Sequence, residues 1–201
     1  QNQLLFEAGA TPVTLTFNNS DAVQRTLGAN LTSPGSANNA ITNIAGTGHV
    51  RVGQIIDSSF TGIVLTKLSG TGDLIFDTAA NDLNGTTLRV VDGRISIQGN
   101  NFNPVSSLLN PIAVDGAGAK LRFGGVGADL TPTTFNTSIN FNESGTLEHT
   151  SLRTDTLSGT INVATTKTLN ASLAGGKIRA TGTINGSGAS LHKTGNGELE
   201  I

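Results

Sequence analysis

The chain contains no cysteine, methionine, tryptophan or tyrosine. Without cysteine there is neither a disulfide framework nor a thiolate metal site. Without tryptophan and tyrosine the usual stacking platforms for sugar rings are missing, and eight phenylalanines are left to fill a core. Charge is scarce as well: 13% of residues are charged and the net charge is −2. Lysine and arginine are scattered, Arg89 and Arg94 among them, without a basic cluster. A nucleic-acid surface needs concentrated basic residues, and so does adhesion to an anionic membrane. Both are disfavoured at a pI of ≈ 5.9. No apolar run approaches the roughly 20 residues that cross a bilayer as a helix.

Glycine (26), threonine (28) and asparagine (20) are abundant. Disordered chains combine low hydrophobicity with high net charge, whereas here 36% of residues are hydrophobic, so order is expected. Leu, Ile, Val, Ala and Phe in thin layers, with Thr on the solvent side, make a long and narrow core. Such a core tolerates the absence of disulfides because its ladders run continuously. The lack of methionine implies that Gln1 is not the natural start, and the chain reads as a piece of something longer.

The stretch 65–99 shows how the chain is built. Leu74, Phe76, Leu88, Val90, Ile95 and Ile97 recur at a spacing of two, the period of a strand that buries one face. Between them lie Gly70, Gly72, Asn84-Gly85 and Asp92-Gly93, residues suited to turns through positive φ. No window carries the i, i+3, i+4, i+7 pattern of an amphipathic helix. A shortened version of the opening returns at 191–201: both copies read L-x-K, then G-x-G-[Asp or Glu]-L-x-[Phe or Ile].

Elsewhere the same rhythm predicts strands near 4–6, 13–17, 41–44, 49–56, 63–68, 73–76, 88–91, 94–97, 120–123, 138–141, 145–149, 160–163, 168–173, 177–180 and 198–201. Loops are expected over 18–39, 99–111 and 124–134, with a short strand near 23–27 and a brief helical turn at 106–109. Strand-and-turn units without helices suit a sandwich, a barrel or a solenoid. Turns every five to eight residues, stackable core residues and two related blocks far apart favour the solenoid. The expected fold is all-β, a single right-handed parallel β-helix over 1–201. At roughly 20 residues per coil it would make about ten coils. At 4.7–4.9 Å per rung this is a rod of about 45–50 Å.

The first block also resembles the passenger-associated transport repeat of bacterial autotransporters. That pattern is L-T-K-x-G-x-G-x-L-x-L, an Asn-containing turn, then G-T-T-x-V and G-x-L-x-V. Its counterparts here are Leu65-Thr66-Lys67, Gly70-Thr71-Gly72, Leu74, Phe76, Asn81, Gly85-Thr86-Thr87, Val90, Gly93, Ile95 and Ile97. The departures are an extra residue at Leu68-Ser69, and Leu83 where an aromatic is common. The Asn/Thr-rich wording is similar in style to large surface antigens of rickettsia-like bacteria. The resemblance implies a non-catalytic passenger segment, exported and displayed outside a Gram-negative outer membrane, tethered there or released. Its expected work is that of a rigid stalk and adhesin, with a host-cell surface protein, matrix or a sister copy as partner. The competing expectation is a carbohydrate-active β-helix such as a phage tailspike or polysaccharide lyase.

Chemistry-bearing motifs are few, and no catalytic, cofactor or metal residue is assigned. Residues 124–129, Gly-Gly-Val-Gly-Ala-Asp, match the start of the calcium nonapeptide, but Thr131 and Pro132 break it and no second copy exists. His49, His149 and His192 lie far apart without metal-ligand spacing and read as solvent-facing strand residues. Adjacent Glu148 and His149 should point to opposite faces of a strand. Asp73, Asp77 and Asp82 are the closest approach to a paired-carboxylate site for glycoside chemistry. Gly46-Thr47-Gly48 and Gly70-Thr71-Gly72 read as strand-leading turns, not phosphate loops, since no Lys-Ser/Thr follows. Sequons such as Asn84-Gly85-Thr86 and Asn136-Thr137-Ser138 arise by composition. Lys67 and Lys193 are expected to cover a coil edge with their stems.

Overall fold

The computed structural model describes residues 3–5, 13–21, 23–32, 40–55, 63–76, 86–98, 110–124 and 132–201. Numbered in chain order, its first strands are β1 (Gln3–Leu5), β2 (Val13–Asn18), β3 (Arg25–Thr32), β4 (Ala40–Ala45) and β5 (Val50–Ile55). Next come β6 (Ile63–Lys67), β7 (Asp73–Phe76), β8 (Thr87–Val90), β9 (Arg94–Ile97), β10 (Ile112–Val114) and β11 (Lys120–Phe123). From β12 on, three strands fill each coil: β12 (Thr133–Phe135), β13 (Ile139–Phe141), β14 (Gly145–His149), β15 (Thr154–Leu157) and β16 (Ile161–Val163). The chain closes with β17 (Thr168–Leu173), β18 (Lys177–Ala180), β19 (Ile184–Asn185), β20 (Ser190–Thr194) and β21 (Glu198–Glu200). No helix occurs among the described residues.

Among the described residues every pairing is parallel, and no strand pairs with its sequence neighbour. Nine strands, β1-β3-β5-β7-β9-β11-β14-β17-β20, form the first sheet. Eight strands from β2 to β19 form the second, and β12-β15-β18-β21 the third. The chain therefore visits the first two sheets once per coil, and from β12 the third as well, returning one rung further on, which defines a β-solenoid.

The coils are longer than expected. Ile139 pairs with Ile161, 22 positions on, while Ile112 pairs with Ile139, 27 positions on. The longest sheet thus holds nine strands, and the count falls short of ten coils. Eight spacings of about 4.8 Å make a stack of about 38 Å, shorter than expected.

Core residues stack in register along the axis. In the first sheet one inward row runs Leu74, Ile95, Leu121, Leu147, Ala171. Its neighbour runs Phe76, Ile97, Phe123, His149, Leu173. The rings of Phe123 and Phe135 meet at 4.5 Å between centroids, joining the first and third sheets. Each rung's backbone is satisfied by the rungs above and below, so no long-range closure is needed.

Several expectations need correction. Segment 18–39 is not a loop throughout, because β3 extends to Thr32, past the short strand expected near 23–27. The end of the 124–134 loop is β12, and its Phe135 is buried against the core. Strands β10, β15, β19 and β20 escaped the reading of the sequence. In β15 and β20 the reason is visible: a polar residue, Asp155 or Lys193, occupies an inward position and spoils the apolar alternation. Residues 99–109 of the loop expected over 99–111, with its helical turn, and residues 125–131 of that expected over 124–134 fall outside the described residues.

Candidate functional site

The two copies of the repeated motif build the same corner in two different places. In the first, Lys67 ends β6 in the second sheet and Asp73 begins β7 in the first. In the second, Lys193 lies in β20 of the first sheet and Glu198 begins β21 of the third. Both lysines stand in inward rows, Lys67 between Ile44 and Val90, and Lys193 after Ala171. The Lys67 ammonium donates to the carbonyls of Ser69 and, at 2.9 Å, Gly70; that of Lys193 donates to Gly195 at 2.6 Å. Lys67, 1% exposed, is a corner anchor inside the coil and not an edge cover, whereas Lys193 is exposed on the last rung of the first sheet. Burial pushes the Lys67 amine below its ordinary range, against the opposing pull of Asp92 and Asp73.

Glycine makes this corner. Gly46, Gly70 and Gly93 have φ of 100°, 81° and 73° and stack rung on rung. A Cβ on Gly70 would lie 2.3 Å from the Gly46 carbonyl oxygen, a distance no side chain tolerates. The Gly46 and Gly70 triplets are thus strand-leading turns, as their sequence suggests.

The densest ionic cluster lies on the first sheet, on the face turned away from the core. Asp73 (β7), Arg94 (β9), Lys120 and Arg122 (β11) and Glu148 (β14) stand on successive rungs. Arg94 bridges both carboxylates, at 2.7 Å to Asp73 and 3.0 Å to Glu148. Arg122 reaches Glu148 at 3.0 Å and Lys120 reaches it at 3.4 Å. Burial alone would favour a neutral Glu148, but Arg94, Arg122 and Lys120 outweigh it and hold the carboxyl below its usual range. For Arg94, too, burial opposes the charge, and Asp73 and Glu148 overcome it, raising its value. Two buried atoms here, Asp73 Oδ1 and Arg94 Nε, have no hydrogen-bond partner. His49 joins the edge: its Nδ1 accepts the Asp73 backbone N–H at 3.0 Å. In that state the 3.8 Å approach of Nδ1 to Asp73 Oδ1 is not an ion pair.

A second polar cluster is sealed where the first and third sheets meet. His149, expected at the surface, is 0% exposed. Glu148 joins the ionic cluster on the opposite face, as strand alternation requires. The His149 ring places Nε2 3.0 Å from Asp155 Oδ2 and Nδ1 3.1 Å from the Gly175 carbonyl. Both contacts are hydrogen bonds together only with a proton on each nitrogen. Arg153 Nε meets Asp155 Oδ1 at 2.7 Å, and the Thr133 N–H donates to the same carboxylate at 3.1 Å. Ser151 sits beside them, but its Oγ accepts the Arg153 N–H. Both imidazole nitrogens are committed to Asp155 and Gly175, so this is no nucleophile–base pair. Alternating patterns do not reveal such a cluster; the only signal was a histidine at an inward position of 145–149.

On the second sheet Asn140, Asn162 and Asn185 occupy one register position on consecutive rungs. Asn162 donates to Asn140 at 2.8 Å and Asn185 to Asn162 at 3.0 Å, a ladder running along strands and not turns. Asp77, Asp82, Asn84 and residues 125–129 lie outside the described residues, and Gly124 is a turn glycine at φ 108°. Asn136 is exposed between β12 and β13. Among the described residues no group of three His, Asp or Glu side chains is placed to hold a metal ion. A cavity of ≈ 270 Å³ opens beside Phe17, Asn19, Asp21, Arg25 and Val50, where Asp21 and Arg25 pair at 2.6 Å. No family model, curated protein or solved structure matches the chain.

Proposed function

We propose that the chain is a non-catalytic segment of an autotransporter-type passenger, serving as a rigid stalk and adhesive surface outside a Gram-negative outer membrane. The observation that carries this reading is the repeated corner: of the residues of the transport-repeat resemblance, Lys67, Gly70 and Gly72 lie at the corner between the second sheet and the first, and Leu65, Leu74 and Phe76 pack the strands on either side. A protein whose pattern is spent on stacking has its outer faces free to vary, as a stalk with an adhesive surface requires. The partner is a host-cell surface protein, matrix or a sister copy.

One observation favours a carbohydrate-active reading: Asp73, Glu148, Arg94 and Arg122 align on a single face. The electrostatics oppose it. A general acid needs a carboxyl raised towards neutrality, and Glu148 is held in the opposite direction.

Beads coated with the purified chain separate the readings. Attachment to cultured cells or immobilised matrix proteins, or bead-to-bead clumping, supports adhesion. Absence of all three, together with depolymerisation of an acidic polysaccharide that Glu148→Gln abolishes, would replace it with the enzyme.

A further inference from the structure

Asn-Gly pairs are chemically vulnerable, because a glycine N–H is sterically open to attack the preceding side-chain amide. Two such pairs fall among the described residues, Asn185-Gly186 and Asn196-Gly197, and the fold treats them differently. Asn185 and Gly186 are both exposed, and no hydrogen bond from the Gly186 N–H occurs among the described residues. At the other pair Asn196 is exposed, but Gly197 is buried and its N–H donates to the Leu173 carbonyl at 2.9 Å.

We propose that Asn185 is a site of spontaneous deamidation and that Asn196, with the same local sequence, is protected by the fold. The Gly186 nitrogen loses its proton to solvent and bonds to the Asn185 Cγ. The Cγ–NH2 bond breaks and ammonia leaves with a proton from water, giving a succinimide. Water then opens the ring at either carbonyl, leaving aspartate or isoaspartate. Asn185 ends the asparagine ladder, where its Nδ2 donates to Asn162 Oδ1 at 3.0 Å. Aspartate there sets an acceptor against an acceptor, and isoaspartate adds a backbone atom to β19, a strand of only two residues. Modification therefore uncouples the ladder at its exposed rung. The inference rests on backbone and side-chain geometry alone and is independent of the adhesive reading.

The test is incubation of the folded chain at 37 °C and mildly alkaline pH, followed by peptide mapping by mass spectrometry. Asn185 should gain one mass unit while Asn196 remains intact, with isoaspartate found at 185. In urea the two sites should react at similar rates, and Asn185→Gln should remove the modification from the folded chain. Equal rates at both sites in the folded protein, faster reaction at Asn196, or no reaction at Asn185 while the denatured chain reacts would each overturn the proposal.

Discussion

Single residues in this protein are chosen for what the neighbouring rung allows. Gly118, Thr166 and Gly188 each take the third position of a similar turn, with φ of 81°, 64° and 69°. Threonine is the exception, and a left-handed conformation costs a β-branched residue about 1–2 kcal/mol. Thr166→Gly should therefore raise stability by about 0.5–1 kcal/mol after glycine's own entropy is counted, visible as a higher urea midpoint. The opposite change at Gly70 meets both a positive φ and the Gly46 oxygen at 2.3 Å. Gly70→Ala should cost about 2–4 kcal/mol by chemical denaturation. Lys67 tests what an inward lysine does. Lys67→Ala removes both the stem and the hydrogen bonds to Ser69 and Gly70, at a cost of about 2–4 kcal/mol. Lys67→Met keeps the volume and should cost clearly less; equal losses would show that packing does not matter there.

At the scale of elements, ladders and ion clusters tie rungs together. Asn162 sits between Asn140 and Asn185, so Asn162→Ala breaks two hydrogen bonds and Asn140→Ala breaks one. Unfolding measurements should give about 1–2 kcal/mol for the first and roughly half that for the second. The cluster on β7, β9, β11 and β14 should make stability depend on pH. Glu148 has a folded-state value below its unfolded one, so its contribution is complete above the unfolded value of about 4.3. It is lost as pH falls through the lower folded value. Glu148→Gln should remove that acid-side slope and cost about 1–3 kcal/mol near neutral pH, read from denaturation at several pH values.

For the whole molecule, stability is close to a sum over rungs and their neighbours. Interior rungs such as β9 and β11 are covered on both sides, whereas every residue of β20 is exposed. Hydrogen exchange should accordingly be slowest at Ile95–Ile97 and Leu121–Phe123 and fastest along Ser190–Thr194. Exchange at one uniform rate would mean that the rod opens only as a unit.

The alternation of Leu74, Phe76, Leu88, Val90, Ile95 and Ile97 was enough to establish short one-face-buried strands without helices, because a period of two and a positive-φ turn are local properties. The repeated L-x-K and G-x-G were legible for the same reason, since each describes one corner. The sequence alone did not determine which corner each copy builds, the 21–27-residue coils, or the four strands of the third sheet. Nor did it reveal that His149, Asp155 and Arg153 meet in the core, or that Asp73, Arg94 and Glu148 meet on one face. Those contacts join residues one or more coils apart, or across a corner, and only the axial stacking decides which side chains share a rung.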